Sequence, residues 1–167
     1  MDAAADQAVT CLTVSFDWQP AGRVTLDAAD GLAFPVLPAA PGLYRFWIES
    51  SEPRPGVYVG EASILRRRMQ HYRTPGPSQS TNIRLNAMLK DALRGGSTVS
   101  LSIITTASLR LDEGPFTPLE LARRTGRLIV EQAAITAAAA SNVAGPGQPP
   151  LLPRILDRPG VGETEYE

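Results

Sequence analysis

Two charged residues stand where hydrophobic periodicity leaves no place for an uncompensated charge. Glu131 is the sole ionisable group in Leu128-Ile129-Val130-Glu131-Gln132-Ala133-Ala134-Ile135-Thr136 and the alanines that follow, a run that reads as a helix apolar nearly all round. A lone carboxylate there needs a partner: an arginine, a metal ion, or both of these meeting across a phosphate. Arg68 shares one helical arc with Leu65, Met69 and Tyr72, whereas Arg66, Arg67 and Gln70 point elsewhere. A guanidinium on a packed face must likewise find an anion or an internal carboxylate. The chain has one cysteine, Cys11, and one histidine, His71, so it can build neither an internal disulfide nor a cysteine or histidine metal cluster. Its chemistry therefore falls to Tyr, Arg, Glu, Asp and Ser.

The elements that must position these groups follow from local pattern. Residues 1–8 are expected to be disordered. Val9 to Phe16 and Gly22 to Leu26 read as two short strands joined around Pro20-Ala21-Gly22, an accessory hairpin. Leu43 to Ile48 is a dense aromatic and branched run suited to a central strand. The turn-rich piece Ser50 to Gly56 separates it from Val57-Tyr58-Val59-Gly60, which predicts an antiparallel pair. Ser63 is placed to cap a helix running to about Tyr72, and Pro75-Gly76-Pro77 breaks the chain. A second helix starts at Thr81 or Asn82, turns Leu85, Met88, Leu89, Ala92 and Leu93 inward, and ends at Gly95-Gly96.

Thr98 to Thr105 alternates as a third strand. Thr117-Pro118-Leu119-Glu120 combines a capping box with proline at the first helical position, which predicts a last helix reaching toward Ala140, divided at Gly126. The fold class is α/β of the α+β type: a small, mainly antiparallel three-stranded central sheet flanked by helices, with an N-terminal β-hairpin extension. The expected organisation is an N-terminal β extension over 1–40, a core domain over 41–143 and a Pro/Gly-rich acidic tail over 144–167.

A length of 167 residues with 43% hydrophobic content suits one domain with a real core. No run approaches the roughly 18 apolar residues of a membrane span, and Met1-Asp2-Ala3-Ala4-Ala5-Asp6 lacks the basic start of a signal peptide, so a cytoplasmic protein without membrane partners is expected. The net charge of −1 argues against binding by bulk electrostatics. Between Ala62 and Arg94, however, seven basic residues (Arg66, Arg67, Arg68, Arg73, Arg84, Lys90, Arg94) face one acid, Asp91, a local +6 that leaves −7 elsewhere. Such a stripe is what contacts with nucleic-acid phosphates need, and it is equally the composition of solvated helix faces.

Gly42-Leu43-Tyr44 followed by Tyr58-Val59-Gly60 resembles the paired motifs that name the GIY-YIG nuclease superfamily. The likeness continues in order along the chain. Arg68 lies ten residues after Tyr58 and Tyr72 four after Arg68, which looks like the helix of UvrC-type catalytic domains with its arginine and its tyrosine or histidine. Glu131 resembles the family's metal-binding glutamate, and Asn142 the asparagine that closes the core. The resemblance spans about Pro41 to Asn142. It departs from the pattern in a longer loop between the tyrosine motifs and in Glu61, which stands where UvrC-like members carry a lysine.

The resemblance implies a DNA endonuclease that hydrolyses phosphodiesters with a single Mg²⁺ (or Mn²⁺) held by Glu131. Arg68 would steady the scissile phosphate, and Tyr44 or Tyr58 would activate the water, passing a proton toward Tyr72 or His71. His71, Asn142 and Glu61 are accessory candidates. Arg66, Arg67, Arg73, Arg84, Lys90 and Arg94 are candidates for backbone contact with DNA, and specificity is left open between branched or flapped DNA shape, a recruiting partner and a homodimer. Blander roles stand beside these: tyrosines packed at strand edges, His71 on a helix surface, Asn142 as a helix C-cap. Two rival functions share the fold: a nucleic-acid-binding module that does not cut, and a protein-interaction module.

Overall fold

The computed structural model describes residues 10–49 and 56–143, the side chains of 141–143 excepted. The expectations for the N-terminal residues 1–8, the 50–55 loop, the Asn142 side chain and the 144–167 tail lie outside them. Strands β1 (Leu12–Phe16), β2 (Gln19–Leu26), β3 (Leu32–Ala33), β4 (Gly42–Glu49) and β5 (Gly56–Ala62) lead into helices α1 (Leu65–Arg73) and α2 (Ser80–Arg94). Strands β6 (Thr98–Ile104), β7 (Ala107–Leu111) and β8 (Thr117–Pro118) precede helix α3 (Arg124–Val143). Among the described residues no helix is long and apolar enough to cross a membrane.

The α+β class, with antiparallel sheets and flanking helices, is as expected. β4 and β5 pair antiparallel, with Tyr44 opposite Gly60 and Phe46 opposite Tyr58. The central sheet has five strands rather than three, in the order β3-β2-β6-β4-β5, and β1-β7-β8 form a second open sheet.

The N-terminal strands do not form the hairpin expected of them. β1 pairs with β7 and β2 with β6, so the two neighbouring segments bend together from one sheet into the other. The Pro20-Ala21-Gly22 signal marks a bulge, where the register shifts between Pro20 and Gly22 and Gly22 takes φ +133°. Proline and glycine serve a bulge as well as a turn, and only the partner strand distinguishes them.

Strand alternation gives the sheet two packed faces. Tyr44, Phe46 and Ile48 join Leu65, Met69, Tyr72, Leu85 and Leu89 in the larger core under α1 and α2. Leu43, Val57 and Val59 pack on the other face with Val130 and Ala134 of α3. On that face Arg45 lies 4.6 Å from the ring centroid of Trp18 and 5.8 Å from that of Trp47.

Two helix starts differ from expectation. Ser63 makes no cap; the N-cap of α1 is Ile64, and the Leu65 N–H donates to Ala40 O at 2.9 Å instead. Thr117-Pro118 is the edge strand β8, paired with Ser108 and Leu109, and α3 begins only at Arg124. A proline without an N–H costs nothing on a strand edge, and the ladder to β7 outcompetes the local capping signal. Gly126 does not divide α3. A Cβ there would strike the Glu120 carbonyl, so glycine lets the preceding turn close onto the first turn of the helix.

Candidate active site

The tyrosine cluster begins with a missing side chain. Because Gly60 lies opposite Tyr44, the Tyr44 ring crosses the backbone of β5 where any Cβ would land on its hydroxyl. Tyr44 and Tyr72 are both 1% exposed and their hydroxyls share a short hydrogen bond. The Tyr44 and Tyr72 rings meet edge to face with centroids 5.9 Å apart, and Tyr58 stacks on Tyr44 at 6.4 Å. Asn86 Nδ2 donates to the Tyr72 carbonyl at 2.7 Å, tying α2 to this end of α1.

Tyr58 is half-buried, and its hydroxyl has no hydrogen-bond partner among the described residues. Gly60→Ala should overpack this cluster and destabilise the fold by about 1–3 kcal/mol. The expected reading is a Tm lower by roughly 3–10 °C in a thermal melt.

Arg68 leans over the Tyr72 ring at 5.8 Å and is half-buried. Its pKa is raised, foremost by the coupling of its charge to ionisation of Tyr44, although burial pulls the other way. Burial is the main reason that Tyr44 and Tyr72 ionise less readily than a free phenol, with mutual coupling among the tyrosines adding to it. Arg68 opposes that shift at both residues, and Glu131 reinforces it at Tyr44. Glu131 is 3% exposed on α3.

A prediction in alkali follows. The folded chain keeps the Tyr44 and Tyr72 protons above the ordinary tyrosine pKa of about 10, where the unfolded chain loses them. Their contribution to stability is therefore complete below about pH 10 and is lost as pH rises, at up to about 1.4 kcal/mol per unit for each hydroxyl. Melts between about pH 9 and about pH 11.5 should show this fall, and Tyr44→Phe should halve its slope; equal slopes would show that Tyr44 is not held protonated by the fold.

The accessory and basic candidates scatter. His71 is partly buried with a lowered pKa, set first by burial and then by Arg67 and Arg68, which leaves it neutral at pH 7. Arg66 Nε donates to Leu37 O at 3.0 Å. Arg73 pairs with Asp27 at 2.9 Å, Arg94 with Asp30 and with Asp91, and Lys90 approaches Asp30 at 3.9 Å. Half of the basic stripe thus answers the acids of the β2–β3 turn and of its own helix. Arg67 and Arg84 are exposed.

Sequence reasoning missed Arg127. This residue is 2% exposed; its Nε donates to Glu61 Oε2, and its Nη1 donates to the carbonyls of Leu121 and Ala122, both at 3.0 Å. The negative charge of Glu61 is therefore answered from α3. The available signal was an arginine four residues before Glu131, on the same helical face. Its burial depends on the chain reversal at 119–123, which the sequence reads as helix.

Among the described residues no group of three or more His, Cys, Asp or Glu side chains could hold a metal. Glu131, 3% exposed, would offer a divalent ion one carboxylate, and the ion's other ligands would have to be waters or phosphate oxygens.

No protein-family model matches the sequence, and no curated protein matches it. Among solved structures the chain is similar to that of a mutant of bacteriophage T4 EndoII, at 18% sequence identity and a TM-score of 0.44, over 57% of this chain and 77% of that one.

Proposed function

We propose that this chain is a GIY-YIG type endonuclease that hydrolyses DNA phosphodiesters with one Mg²⁺ or Mn²⁺ ion at Glu131. The observation that supports it best is the gathering of Tyr44, Tyr58 and Tyr72 around one arginine, Arg68, with Glu131 close enough to act on that cluster electrostatically. A purely structural salt bridge would not need three phenols beside it.

Hydrolysis breaks one O–H bond of water and the P–O bond to the leaving oxygen, and it forms a new P–O bond and an O–H bond on that oxygen. The Tyr58 hydroxyl has no hydrogen-bond partner among the described residues, so it receives the water. Burial disfavours a free phenolate in this cluster, but a hydroxyl that accepts the water's proton while giving its own to a phosphate oxygen, and through it to the leaving oxygen, never becomes one. Tyr44 and Tyr72, bonded to each other, hold the Tyr58 ring and orient the cluster. Arg68 donates to the phosphate as charge gathers on its oxygens. The chemistry supplied by a divalent ion at Glu131 is neutralisation of that same charge.

The test is a time course of supercoiled plasmid with purified protein and Mg²⁺, with and without a chelator. Nicking that stops on chelation is the expected result. Equal nicking in the chelated sample would sink the metal role. An intact plasmid with a salt-sensitive gel shift favours a binding module, and the ion-paired half of the basic stripe weighs against that outcome.

A further inference from the structure

The Glu61–Arg127 pair lies beside the tyrosine cluster and takes no part in the roles above. Glu61 follows Tyr58-Val59-Gly60 on β5, and alternation turns it with Val57 and Val59 toward α3. There the Arg127 guanidinium is held by acceptors from two segments: the Glu61 carboxylate, and the Leu121 and Ala122 carbonyls of the turn before the helix. The side chains are 3% and 13% exposed, so water does little to loosen the pair. Arg127 and Glu131 are four residues apart and project from one side of α3, a turn from each other.

The contacts that Val130, Ala134 and Ile135 of α3 make in the layer against the sheet are apolar. Apolar burial has no direction and tolerates rotation and sliding of a smooth helix face. A buried guanidinium with three directed hydrogen bonds does not. We infer that Glu61 and Arg127 are positioning residues: their clamp sets the rotation and register of α3 against β5, and so the place to which the Glu131 carboxylate reaches. It also keeps the Glu61 carboxylate engaged, away from any ion at Glu131. The inference rests on the nuclease reading of Glu131.

The test removes the clamp without leaving a buried charge. In Glu61→Leu/Arg127→Met an apolar pair of similar volume replaces it, an exchange that folds tolerate. Position is read from the ¹³C carboxyl signal of Glu131, identified by its loss in Glu131→Gln and broadened by titrated Mn²⁺; plasmid nicking is read alongside. The double variant should melt within a few degrees of the parent, yet need about tenfold more Mn²⁺ for equal broadening. Its kcat for nicking should fall about tenfold or more, with KM for plasmid within about twofold.

Glu61→Gln leaves a carbonyl oxygen for Arg127 Nε and should stay within about threefold of the parent on both readouts, whether or not the double variant folds. A tenfold loss in Glu61→Gln overturns positioning in favour of a direct role for the Glu61 charge. A folded double variant with parental broadening and parental nicking overturns the clamp alone. Broadening of Glu131 in a parent protein that nicks nothing overturns the nuclease reading alone, and absence of broadening in the parent overturns both.

Discussion

Glu131→Gln should lower the rate of plasmid nicking by about a thousandfold or more while leaving the melting temperature within a few degrees of that of the parent chain. The substitution keeps the shape of the side chain and removes its charge. Glu131 is 3% exposed on α3, so a side chain of the same shape keeps its packing. A buried carboxylate is costly to desolvate; the neutral amide relieves that cost and keeps one oxygen acceptor for the interaction the carboxylate makes.

The reaction loses the carboxylate proposed to hold the divalent ion. Several kcal/mol of transition-state stabilisation depend on such a ligand, and about 4 kcal/mol corresponds to about a thousandfold in rate. The measurement is a paired one: single-turnover nicking at saturating Mg²⁺, and a thermal melt of the same preparation. A stable variant that nicks at the parental rate would remove Glu131 from the site, and with it the metal. An early-melting variant would instead mark the carboxylate as a structural partner.

The second large effect is expected at Arg68. Arg68→Ala should reduce kcat/KM for nicking by about 10²- to 10³-fold, the usual consequence of losing one preorganised donor to a developing oxyanion. Two physical losses combine there. The phosphate loses a charged fork, and the tyrosines lose the cation that favours their ionisation, since Arg68 is what opposes the raised pKa of Tyr44 and Tyr72.

Arg68→Lys should recover little. The guanidinium lies over the Tyr72 ring at 5.8 Å, and it can donate twice to one phosphate where lysine is a point charge. Kinetics of both variants across pH separate the two losses. Substitution should depress the rate at every pH and, in addition, move any alkaline limb upward; recovery to within about threefold by lysine would reduce Arg68 to a simple countercharge.

Much of this arrangement is legible along the chain because it is local. The arc of Leu65, Arg68, Met69 and Tyr72 follows from helical period alone, and the antiparallel pairing of β4 with β5 from the single turn-rich segment between two neighbouring strands. The second helix with its glycine stop is equally local: Gly95 N–H donates to Asp91 O at 2.9 Å, and Gly96 takes φ +82°. The readings that went astray concern segments whose state depends on a distant partner. Pro20-Ala21-Gly22 became a bulge because β6 lies alongside it, and Thr117-Pro118 a strand because β7 does.

The sequence by itself determined which side chains must be answered, Arg68 and Glu131 above all, since periodicity decides which face of an element is apolar and a charge on that face needs a partner. Only the tertiary structure decided what surrounds them. It brought Tyr44 of β4 to Arg68 and joined the Tyr44 and Tyr72 hydroxyls across 28 residues. It brought Arg127 to Glu61 across 66 residues, because a turn at 119–123 sends α3 back over β5. Contacts at such separations depend on how strands are ordered and where the chain reverses, and those are properties of whole-chain packing that no window of sequence contains.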